Sequence, residues 1–211
     1  SDHSTPLPFW IDSYDPVAAN ARIWLKLPEI PANATTTAYL AVNPTRTDPL
    51  SDGNAAFLFF DDFNGTELDS TKWTSNAQIT ISGGICTITR TSSWQGIETK
   101  TTWGNGIIAE CHHKVSTSST PEATATMVGF SALGSIDTGR NIYYSGAGSF
   151  EWSGGASTQF ATGGLRGVFA TSRITRTPTA CIMYNTAGDT RTAAAISANL
   201  PFVFQKNGRD P

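Results

Sequence analysis

Apolar residues in this chain fall in short runs that mostly alternate with polar ones, and clusters of Gly, Pro, Asn, Ser and Thr separate the runs. Alternation puts every second side chain on one face, which is the signature of a half-buried strand. Residues 7–14 predict an aromatic strand with Pro8 at its edge or start. Residues 21–27 set Ile23, Leu25 and Leu27 against Arg22, Trp24 and Lys26, and residues 35–42 predict another strand that closes at Asn43-Pro44. A polar loop at 45–54 follows. Farther on, strands at 77–82 and 85–91 flank Gly83-Gly84, a two-residue hairpin signal. More are predicted at 94–102, 106–115, 124–133, 141–144, 149–152, 167–175, 179–185, 191–196 and 200–204. The segments STSSTPEAT (116–124) and ASTQFATGG (156–164) read as connections. Many short strands with Gly-rich turns and no useful helical period predict an all-β, two-sheet sandwich.

The centre of this pattern is residues 57–73, FLFFDDFNGTELDSTKW. Phe57, Phe59, Asp61 and Phe63 share one parity, and Leu58, Phe60 and Asp62 the other. So short and aromatic a run predicts a strand buried on both faces, followed by an Asn64-Gly65 turn that Leu68 and Trp73 plug.

FFDDFNGTELDSTKWT resembles the opening of concanavalin A-like (laminin-G-like) sandwiches, the form shared by family 16 glycoside hydrolases and lectin-like surface modules. Residues 7–44 resemble the later half of a domain of unknown function from archaeal and bacterial surface proteins, a domain typically joined to such a sandwich through a Phe-Phe-Asp-Asp-Phe junction. The resemblance implies a jelly roll at 55–211 with an N-terminal β extension at 1–54. Ser1 then falls inside the resembled domain. Pro211 falls before its closing strand, so an open sheet edge and strand complementation by another segment or chain are expected, with Leu200, Phe202 and Phe204 as the apolar face to be covered.

Composition narrows the function classes. The net charge of −3 offers no basic footprint for nucleic acid. No apolar run approaches the roughly 20 residues of a membrane span, and Ser1 opens no signal-peptide pattern. Three cysteines are too few and scattered for a disulfide framework or a zinc cluster, though a Cys86–Cys111 bridge is open to the chain. Cys86 and Cys111 read as inward core residues by parity, and so does His113.

Family 16 hydrolases carry both catalytic carboxylates on one strand in an E-x-D-x-x-E arrangement, because retaining hydrolysis needs them about 5–5.5 Å apart. Glu98, Glu110, Glu122 and Glu151 each lack a carboxylate two or four residues away. His112 and His113 point to opposite faces of a strand, so they do not share a metal, and no nucleophile motif is present. No catalytic residue is therefore assigned. Exposed aromatics are the better lead: Trp94, Trp103, Tyr143, Tyr144 and Trp152, with Asn105 beside them, are candidate ligand-binding residues, because flat sugar C–H faces dock on rings. Gln95, Arg140 and Glu151 are candidate hydroxyl partners. The resemblance also implies a structural calcium at Asp61 and Asp62. Asn33 and Asn64 head glycosylation sequons, in keeping with an extracellular, cell-surface or virion-surface location. The expected function is a non-catalytic recognition or adhesion module that binds glycans or other surface proteins. The alternatives are a structural subunit of a filament, sheath or virus particle and, more remotely, a glycoside hydrolase.

Overall fold

The computed structural model describes residues 6–40, 51–89, 93–115, 125–135, 137–145, 148–153, 156–161 and 164–207. The ends of the expected strand at 35–42 and loop at 45–54, the connection at 116–124 and the last residues of the chain lie outside these. The chain divides into Ser1–Asp62 and Phe63–Pro211, a boundary eight residues beyond the one read from the sequence.

In the first unit, β1 (Phe9–Asp15) and β2 (Asn20–Leu25) form an antiparallel hairpin pairing Trp10 with Trp24 and Ile11 with Ile23. The Asp15 carboxylate holds the turn by accepting the amides of Val17 and Ala18, both at 2.9 Å. One helical turn, α1 (Gly53–Ala56), follows, its N-terminus capped by the Asp52 carboxylate. Such a turn lacks the periodicity that a sequence pattern could reveal.

The Phe-rich stretch is not a strand. It leaves α1 as an irregular segment in which Leu58 is 77% exposed while Phe57, Phe59, Phe60 and Phe63 are half-buried. Its rings pack on the hairpin: Trp10 and Phe60 centroids lie 4.5 Å apart, Trp24 and Phe57 5.6 Å, and Phe57 stacks on Phe60 at 5.7 Å. Cross-ring packing thus replaces strand pairing. Residues 35–40, expected in a strand, are exposed and belong to none of the strands.

Gly53 is buried beneath this cluster, where a methyl group would run into the Phe60 ring. Gly53→Ala is expected to destabilise the first unit by about 1–3 kcal/mol, as overpacking does. The check is a shift in tryptophan emission as the ring leaves Trp10.

The second unit is the sandwich, and its fold class is the one expected. One sheet has seven strands in the order β11-β10-β9-β8-β15-β6-β3, and the other has four in the order β14-β13-β12-β7. The strands of the larger sheet are β3 (Trp73–Ser75), β6 (Gln95–Trp103), β8 (Ala125–Phe130), β9 (Arg140–Ser145), β10 (Gly148–Ser153), β11 (Ala156–Gln159) and β15 (Leu200–Asn207). The smaller sheet holds β7 (Ile107–Lys114), β12 (Phe169–Arg176), β13 (Ala180–Tyr184) and β14 (Thr190–Ala194). A separate hairpin joins β4 (Ile79–Ser82) to β5 (Ile85–Ile88), and Gly83 and Gly84 turn it with φ of 57° and 74°.

The inner faces enclose a core of Val128, Phe130, Ile142, Tyr144, Ile174, Cys181 and Met183. β11 occupies part of what reads as a Gly-rich connection, and β3 carries the buried Trp73. The last strand departs most from expectation. β15 lies between β8 and β6 rather than at an edge, and Leu200, Phe202 and Phe204 already pack against the core. That face therefore needs no added strand. All three cysteines are free thiols, so no Cys86–Cys111 bridge forms. Among the described residues no helix is long and apolar enough to cross a membrane.

Candidate functional site

Strand parity divides the larger sheet. On β9, Ile142 and Tyr144 point into the core, so Asn141 and Tyr143 belong to the outer face. Register across β10 adds Phe150 and Trp152, which pair with Tyr143 and Asn141. The resulting cluster centres on Tyr143. Its ring lies 5.3 Å from Trp152, 6.0 Å from Phe150 and 6.0 Å from Trp94, tilted against each by 53°, 47° and 57°. All four rings are half-buried. The Trp152 indole N–H donates to the Asp137 carboxylate at 3.3 Å. Asn141, fully buried beneath, accepts from the Ser131 hydroxyl at 3.1 Å.

Of the residues expected to bind ligand, Trp94, Tyr143 and Trp152 thus meet. Trp103 and Tyr144 do not, because their parity turns them inward: Trp103 packs against the core and Tyr144 is 0% exposed. Asn105 is exposed between β6 and β7, away from the rings. Phe150 and Asp137 went unnoticed from sequence, though Phe150 shares the parity of Trp152 in SFEWS and could have been found there.

The carboxylates are dispersed. Among the described strand residues of the outer face, Glu98 is the one acid, and its Oε2 accepts the Leu133 amide at 2.8 Å. Glu151 has inner-face parity and lies 3.8 Å from the Arg140 guanidinium, which also contacts the Ser153 hydroxyl. Gln95 pairs with Lys206 on the inner parity too. Asp61 and Asp62 are half-buried, and no group of three or more His, Cys, Asp or Glu that could hold a metal occurs among the described residues. Asn33 and Asn64 are both exposed.

A second polar cluster is sealed between the sheets. His113 Nε2 lies 2.9 Å from the Ser172 hydroxyl, which lies 2.6 Å from the Tyr144 hydroxyl. The Thr186 amide donates to Tyr144 at 3.1 Å, and His113 Nδ1 has no hydrogen-bond partner among the described residues. Burial pushes the Tyr144 pKa up to about 12 and pulls that of His113 down to about 4. A serine–histidine pair walled in this way has no substrate access and serves the core.

A family described as Domain of unknown function (DUF2341) matches residues 1–76. No curated protein matches the sequence. Among solved structures, the Bacillus licheniformis β-glucanase is similar with a TM-score of 0.54 and 14% identity, covering 71% of this chain and 84% of its own. A β-1,3-1,4-glucanase (lichenase) from a mouse hindgut metagenome has a TM-score of 0.52 and 12% identity, with 70% and 84% covered. The carbohydrate recognition domain of Emp47p has 0.51 and 13%, with 70% and 85% covered. At such identities the likeness is one of fold.

Proposed function

We propose that the sandwich is a non-catalytic glycan-binding module acting at a cell surface. The observation that carries this is the gathering of Trp94, Tyr143, Phe150 and Trp152 on the outer face of the larger sheet, beside the Asp137 carboxylate. Ring faces take up the C–H faces of sugars, and a neighbouring acceptor fixes their hydroxyls. The resemblance to lectin-like modules and hydrolases of this fold agrees with such a ligand. A hydrolase reading has less behind it, because Glu98 is engaged by a backbone amide and Glu151 has the opposite parity.

A structural-subunit reading draws on the hairpin of the first unit, where Ile11, Ile23 and Leu25 are exposed. It names no ligand and leaves the aromatic cluster without a purpose.

A glycan array is expected to give hits that Tyr143→Ala and Trp152→Ala each weaken about tenfold or more, the usual cost of truncating a central aromatic contact. No reducing ends should appear on incubation with the bound polysaccharide. Turnover that disappears in Glu98→Gln or Glu151→Gln would overturn the non-catalytic assignment.

A further inference from the structure

The outer face is not open along its whole width. Residues 131–135, directly after β8, fold back over β15 and β6. The Leu133 amide donates to Glu98 at 2.8 Å and the Gly134 amide to the Gln205 side-chain oxygen at 3.0 Å. The Gln205 side-chain nitrogen returns a bond to the Ser135 carbonyl at 3.3 Å. Gln205 is itself 0% exposed, and its amide nitrogen also donates to the Met127 sulfur at 3.7 Å, so the group that holds the loop is anchored on β8 as well. Gly134 adopts φ of 80°, a left-handed conformation that glycine reaches without strain, and its α-carbon faces the Trp94 carbonyl and the Asn76 side chain. The loop therefore covers β15 and β6 at the level of Gln205 and Glu98, and Gln205 lies in the row of Tyr143. On the other side, beyond the rings, Ser157 and Gln159 of edge strand β11 are exposed.

From this asymmetry we infer that the site takes the end of a glycan chain, or a short oligosaccharide, and not an internal segment of a long polysaccharide. A polymer that crosses the strands over the rings enters over one edge of the sheet and leaves over the other. Here it can approach over β11 and reach Tyr143, but it meets the pinned loop before β15. The sugar lying on the rings is then the last of its chain. The inference rests on the glycan-binding proposal above and adds which part of the glycan is recognised.

The test compares soluble β-1,3-1,4-glucan, β-1,3-glucan, mannan and mucin O-glycans, each intact and after partial acid hydrolysis, at equal mass. Protein bound at saturation is measured with the full chain. End recognition predicts that capacity rises with the number of chain ends, so halving the mean chain length doubles the protein bound. Capacity that stays constant or falls on hydrolysis overturns the inference while leaving glycan binding intact. No binding to any probe, intact or cleaved, overturns both.

Discussion

Replacing Arg176 with methionine is expected to cost the sandwich about 3–5 kcal/mol, because it strips donors from buried acceptors while keeping the side-chain volume. Arg176 ends β12 with 1% of its surface exposed. Its guanidinium donates to the carbonyls of Trp103 at 2.5 Å, Ile196 at 3.0 Å and Ala198 at 2.7 Å. It also sits 4.9 Å from the Phe130 ring centroid. One cation thereby ties the end of β6 and the connection before β15 to the core. Burial lowers its pKa, yet three carbonyl oxygens replace the water it lost. Denaturant unfolding followed by circular dichroism measures the loss. Lysine is expected to recover little of it, since one ammonium cannot reproduce the planar fork. A loss below about 1 kcal/mol for methionine would show that the carbonyls find water or other donors.

The second large effect depends on pH. His113 is 5% exposed between the sheets, touching Ser172, Tyr144 and Phe204. Burial lowers its pKa from 6.5 to about 4, with the neighbouring His112 adding to the shift. Tyr144 and Cys111, both pushed up to about 12 by burial, stay neutral and supply no anion. The unfolded chain therefore binds a proton that the folded chain refuses between these two values. Stability is present in full above pH 6.5 and declines as the pH falls toward 4, by about 3 kcal/mol from this group alone. His113→Phe keeps the ring contacts and removes the titration. The measurement is unfolding free energy against pH for both proteins: the difference between the curves should open between about pH 6.5 and 4. Parallel curves would mean that His113 is solvated or paired in the folded protein.

Much of the sandwich was legible from alternation, because a strand with one buried face must place an apolar residue at every second position. The Gly83-Gly84 hairpin and nearly every strand from β6 to β15 could be placed this way. Parity also turned His113 and Cys111 inward and set Tyr143 opposite Tyr144, but only the register of β10 on β9 put Trp152 on the face of Tyr143. Aromatic character alone blurred that distinction, which is how Tyr144 and Trp103 entered the expected site.

What the sequence by itself determined is the identity of faces within each strand: local sterics fix the two-residue period whatever the strand's neighbours. Only the tertiary structure decided which strands adjoin. It placed β15 between β8 and β6, so Leu200, Phe202 and Phe204 face the opposite sheet rather than an open edge. It turned the Phe-rich stretch from a strand into a ring cluster on the β1–β2 hairpin, where aromatic packing won over backbone pairing. It also brought Trp94 to Tyr143, set Ser172 against His113, and bent residues 131–135 over Glu98 and Gln205. Those contacts join residues as much as 71 positions apart. No local preference encodes such pairs, because they arise from the order in which whole strands hydrogen-bond and from the volume each side chain must fill.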